Sequence, residues 1–144
     1  MKKLLFSNPT VALPASLALL VMRLVFGLFM LIGHGWGKLM NFSAISERFM
    51  DFMGLGSTVS LALAVFAEVV CAFLVSIGLL TRAALVPLII TMAVAAFIAH
   101  GNDPFFAPPR EASKEMALLF LSGYLAIFLA GPGRFSLDQW LKKS

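Results

Sequence analysis

The sequence predicts an all-α fold: a four-transmembrane-helix bundle with a short interfacial helix between helices 1 and 2. Three observations carry that expectation. The 144 residues are 60% hydrophobic and 12% charged, where a soluble domain is nearer ~45–50% apolar and ~25% charged. The apolar residues collect in four runs separated by turn-forming or charged stretches. One of these runs, TVSLALAVFAEVVCAFLVSIGLL at 58–80, is long enough to cross a bilayer yet holds a carboxylate, Glu68, near its middle. A central acidic residue costs roughly 3 kcal/mol to insert. Glu68 must therefore face protein or water and have a partner, and Arg23, at similar depth in the preceding run, is the partner expected.

The elements follow in order within one integral membrane domain, 1–144. Helix 1 is expected over 13–36, with Pro14 in its first turn, where a missing N–H costs nothing. Arg23, Gly27, Met30, His34 and Lys38 recur at helical spacing, so they form one stripe that should face the bundle interior. Residues 42–53 alternate Phe42, Ile45, Phe49, Phe52 and Met53 with charged and polar residues, as an interfacial helix that lies on the membrane or lids the bundle. Helix 2 is expected over 58–80, its Glu68 stripe carrying Leu61, Ala64, Cys71, Ala72 and Val75. Leu80-Thr81-Arg82 is a tight turn, so helix 3, over 83–100, is its antiparallel neighbour. Residues 101–113 form a Pro-rich loop. Helix 4, over 114–130, places Glu115, Ser122 and Ala126 on one stripe, and Gly131-Pro132-Gly133 stops it. An amphipathic tail follows, with Trp140, Lys142 and Lys143 suited to the interface.

Four spans put both ends on one side. Lys2, Lys3, Arg82, Arg134, Lys142 and Lys143 then oppose Lys38, Arg48, Arg110 and Lys114. Six cations against four favour both termini in the cytoplasm. The net charge of +4 lies in short flanks, not on a basic helix face, which argues against nucleic acid as a partner. The lone cysteine, Cys71, excludes an internal disulfide or a cysteine-ligated cluster within one chain. No metal-spaced acid cluster, phosphate loop or nucleophile set is present, so no metal site is assigned.

Two polar groupings remain as candidate sites. Arg23 and Glu68 form either a buried ion pair that pins helix 1 to helix 2 or a proton or substrate relay. At the outer helix ends, His34, Trp36, Lys38, His100, Lys114 and Glu115 make a ring, roofed by phenylalanines, that would hydrogen-bond a quinone head group or a small oxyanion.

Several of these residues, taken in order, resemble the DoxX family of small bacterial membrane proteins. They are Arg23 to Gly27, Gly35-Trp36-Gly37-Lys38, Glu68, Gly78-Leu79-Leu80-Thr81-Arg82, His100, Glu115 and Gly131 to Asp138. The resemblance covers roughly residues 17–140. It implies a four-helical protein of the bacterial inner membrane and a quinone-linked redox role, because the family takes its name from a membrane subunit linked to a terminal quinol oxidase. The expected function is thus a membrane subunit of a quinone-linked oxidoreductase or redox-stress system. Such a subunit carries no built-in cofactor, binds a quinone, and has a soluble redox enzyme as partner. Two alternatives stand beside it. One is a small transporter with Glu68 as the proton-coupling carboxylate, which at this size would work as a homodimer. The other is a non-catalytic membrane anchor for a soluble protein.

Overall fold

A computed structural model describes residues 12–108 and 113–143. The basic N-terminal tail with Lys2 and Lys3, and Arg110 of the Pro-rich loop, fall outside them. The described residues are helical or irregular, with no strand.

Three helices are long and apolar enough to cross a membrane: α1, Leu13–Met40; α2, Ser57–Ile77; and α3, Thr81–Ala99. A fourth, α4, Glu115–Ala130, is apolar but shorter at 16 residues. A short α5, Leu137–Lys143, follows. α1 packs on α2 and α4, and α3 packs on α2 and α4, so the four helices close a ring in chain order. Its core holds Met30, Leu85, Leu88, Phe120, Tyr124 and Ile127 around the small residues of α2. Small residues at the crossings let backbones approach, the usual device where lipid offers no hydrophobic drive between helices. At Gly27 an added Cβ would collide with Ser76 Oγ, and at Gly35 it would stand 2.6 Å from the Glu68 carbonyl oxygen.

Element ends differ from expectation for local reasons. α1 continues past Trp36 to Met40, where Asn41 Nδ2 donates to the Gly37 carbonyl at 2.8 Å and closes the helix. α2 stops at Ile77 because Gly78 takes a left-handed conformation, φ 73°. α3 starts at Thr81, earlier than 83, because Asp138 caps it. The Asp138 carboxylate accepts from Leu80 N at 2.7 Å, Thr81 N at 2.9 Å and Thr81 Oγ1 at 2.7 Å. The same corner holds α4, since Arg82 Nε donates to the Phe128 carbonyl at 3.1 Å. A cation there also meets the negative end of the α4 dipole.

The interfacial helix expected over 42–53 shrinks to a single turn, Phe42–Ile45. Beyond it the chain turns back toward the bundle. Phe52 N donates to Ser60 Oγ at 3.0 Å, and Met53, Gly54 and Gly56 all have positive φ, which no helix accommodates. The expected α4 stripe is present and lies on the outside of the bundle. Glu115, Ser122 and Ala126 point outward, while Ala117, Phe120, Gly123, Tyr124 and Ile127 are buried. Ser122 tolerates that exposure because its hydroxyl donates to the Leu119 carbonyl within its own helix, at 2.8 Å.

Each long helix contains one stretch of π-helix: Leu31–Gly35 in α1, Phe66–Cys71 in α2 and Ala95–Ala99 in α3. Single π-turns inside α-helices are rare and concentrate at functional sites. Those of α2 and α3 line one region, and that of α1 ends three residues before Lys38, which lines it too.

Candidate functional site: a cavity at the Lys38–Glu68 pair

That region is a cavity of about 410 Å³ bounded by the end of α1, the 48–52 loop, the N-terminal half of α2 and the C-terminal half of α3. Its walls are largely apolar, with Phe49, Met50, Phe52, Leu63, Ile90 and Val94 among them. Its polar groups are Lys38, Glu68, Arg48, His100, Thr91 and Ser60.

Glu68 does not pair with Arg23. Its carboxylate is held by Lys38, whose Nζ lies 2.5 Å from Oε1 and 2.6 Å from Oε2. The Glu68 side chain is 3% exposed and that of Lys38 29%. The long lysine stem lets the ammonium reach down from the rim while its carbons stay against apolar wall. Arg23 sits at the opposite end of the bundle. It packs on Gly78 and donates from Nη2 to the Phe135 carbonyl. Glu68 and Gly78 are ten residues apart on α2, which is on the order of 15 Å along the axis and rules out a direct contact.

The outer ring divides. His100 lines the same cavity as Lys38 and Glu68. Its Nδ1 lies 2.7 Å from Asp103 Oδ2, which orients the ring and leaves Nε2 as its other hydrogen-bonding group. Lys114 stays near that rim, donating to the Gly101 carbonyl at 2.7 Å. His34 turns the other way, its ring edge-to-face with Phe120 of α4 at 5.5 Å. Trp36 and Glu115 are exposed and take no part in the cavity. The π-turn at Leu31–Gly35 explains the departure of His34. One extra residue in that turn advances the helix phase, so the buried stripe runs Arg23, Gly27, Met30, Gly35 instead of passing through His34.

Arg48, Thr91 and Ser60 were not singled out from the sequence. The signal for Arg48 was present: it lies next to Phe49 in the amphipathic segment expected to lid the bundle. Thr91 and Ser60 carry no signal, because a hydroxyl inside an apolar helix usually bonds its own backbone.

The DoxX family model matches residues 18–101. This chain belongs to the DoxX family. The matched span contains every residue that lines the cavity, whereas α4 lies beyond it. Among curated proteins, the chain is similar to the uncharacterized membrane protein Rv3486 of Mycobacterium tuberculosis, with 36% identity over 86 residues. That match covers 53% of this chain and 52% of the mycobacterial protein, so the chain spans about half of that relative's length. It is also similar to the inner membrane protein YqjF of Escherichia coli, with 29% identity over 113 residues, covering 78% of this chain and 83% of that protein. No solved structure matches the chain.

Proposed function

We propose that this DoxX-family chain spans the bacterial inner membrane four times, with both termini cytoplasmic, and that its cavity binds the head group of a quinone. In this reading it is the membrane subunit of a quinone-linked oxidoreductase or redox-stress system, and a soluble redox enzyme supplies or accepts the electrons. One observation carries the reading: a cavity of about 410 Å³ whose largely apolar lining also holds Lys38, Glu68, Arg48, His100, Thr91 and Ser60. Small-molecule sites have that size and that distribution of polarity. Lys38 can donate to a quinone carbonyl. His100 Nε2 can accept from a quinol hydroxyl when neutral and donate to a carbonyl when protonated. The E. coli relative's description as an inner membrane protein supports the location. For the fourth span, α4 covers about 24 Å at 1.5 Å per residue, short of a ~30 Å hydrocarbon core. Lys114 and Glu115 at one end and the 131–136 segment at the other make up the difference within the headgroup layers.

Binding of a short-chain benzoquinone to the protein in lipid nanodiscs, followed by calorimetry, tests this. Saturable binding that weakens at least tenfold in Lys38→Ala and in His100→Ala is expected. Absence of saturable binding to the wild-type chain refutes it.

A second reading, a proton-coupled transporter, is favoured by the placement of Glu68, a buried carboxylate that also lines the cavity. It requires flux in proteoliposomes that Glu68→Gln abolishes.

A further inference from the structure

The cavity is not walled off from the membrane. α2 and α3 pack through the halves nearest their connecting turn, where Phe66–Ile77 of α2 meets Thr81–Val94 of α3. Beyond Glu68 the two helices diverge, and Ser57–Val65 makes little contact with α3. Leu63 on α2 and Ile90 on α3 both line the cavity, yet they are 52% and 53% exposed on the outer surface of the bundle. Residues that wall a cavity and face outward at the same time stand at its mouth. The exposed neighbours of this mouth on α2, Val59 and Phe66, are apolar as well, so it opens toward hydrocarbon. The same lining carries Lys38, Glu68, Arg48 and His100.

We propose that the gap between Leu63 and Ile90 is a lateral portal, through which the ligand enters from the bilayer head first and in which its apolar tail remains. This rests on the quinone-head reading of the cavity and narrows its substrate to long-tailed, membrane-dissolved molecules with a compact hydrogen-bond-accepting head. Arg48, which is exposed, and the part-exposed Lys38 and His100 form a separate polar rim, so the apolar gap at Leu63 and Ile90 is the opening suited to a tail. A tail held between two half-exposed side chains adds apolar burial that a tail-less head cannot have.

Two measurements on the full chain in nanodiscs test the portal. The first compares a tail-less benzoquinone with its decyl-tailed analogue in the wild type and in Leu63→Trp/Ile90→Trp, where two indoles fill the gap. The tailed ligand should lose at least tenfold more affinity in the double variant than the tail-less one, which enters through the rim and reports how far the head pocket itself is changed. Equal effects on both ligands, or none on the tailed one, overturn the portal while leaving the head-group site standing. The second measurement does not depend on the ligand. A nitroxide at Ala64→Cys, on the cavity wall in a Cys71→Ala background, should collide more often with dissolved oxygen than with a water-soluble nickel chelate. The reverse order places the opening on the water side and overturns the portal whatever the ligand is.

Discussion

Lys38 and Glu68 meet across the α1–α2 interface, the ammonium within 2.6 Å of both carboxylate oxygens. The pair joins the end of one helix to the middle of the next, so it also sets their stagger. Lys38→Ala leaves a carboxylate buried without a counter-charge and should destabilise the protein by about 3 kcal/mol. Lys38→Met/Glu68→Leu together should recover most of that loss, because neither charge is then stranded. Unfolding in mixed micelles measures both. A single variant as stable as the wild type would show that the pair contributes nothing to the α1–α2 contact.

The glycines of α1 divide into two kinds. At Gly27 and Gly35 a Cβ would press on the α2 backbone, standing 2.9 Å from the Ala72 carbonyl oxygen and 2.6 Å from that of Glu68. At Gly33 and Gly37 it would meet nothing within 4 Å. Alanine at Gly27 or Gly35 should cost about 1–3 kcal/mol through forced separation of the helices. Alanine at Gly33 or Gly37 should be neutral or slightly stabilising, since it favours the helix over the unfolded chain. The same unfolding assay, run on all four, distinguishes the pattern from a uniform response.

Asp138 closes the first turn of α3 with three hydrogen bonds. Asp138→Ala should cost about 1–2 kcal/mol, the upper range for loss of a helix cap. Amide exchange should quicken at Leu80 and Thr81 but not at Leu88, which is buried in the core. Faster exchange throughout α3 would mean instead that the whole helix depends on this cap.

Arg23 is fully buried, and its Nε and Nη1 have no hydrogen-bond partner among the described residues. A guanidinium so placed bears a large desolvation cost for one bond to the Phe135 carbonyl. Methionine, of similar length, should hold the fold within about 1 kcal/mol of the wild type. It should also leave quinone affinity unchanged, because Arg23 lies outside the cavity. A tenfold loss of affinity in Arg23→Met would restore a relay role for the residue.

Much of the architecture is legible in the sequence because hydropathy reports membrane spans directly. The runs around Glu68 and Arg23, and the tight turn at Leu80-Thr81-Arg82, are visible without coordinates, although Gly78 ends α2 two residues before Leu80. The buried stripe of α2 is also readable: Leu61, Ala64, Glu68, Cys71, Ala72 and Val75 are all buried. The stagger between helices is not. It decides whether Glu68 meets Arg23 or Lys38, and it depends on the close contact of Gly35 with Glu68 and on the path of the 41–56 connection. The phase of α1 beyond Met30 is hidden for another reason. A π-turn inserts its extra residue without any proline or glycine rule, so His34 leaves a stripe that strict 3.6-residue periodicity includes. In α4 almost every side chain is apolar, and composition cannot show which face meets protein and which meets lipid. Gly123 decides it by admitting Phe26 against the helix backbone.

The Asp138 cap has a consequence for the order of assembly. The carboxylate that closes the start of α3 lies fifty-seven residues downstream of Thr81. Until synthesis reaches Asp138, the corner between α2 and α3 lacks the carboxylate that closes it. Sealing of that corner must therefore wait for the C-terminal segment, and a chain cut before Asp138 should expose the Leu80–Arg82 turn to added protease that the full chain resists.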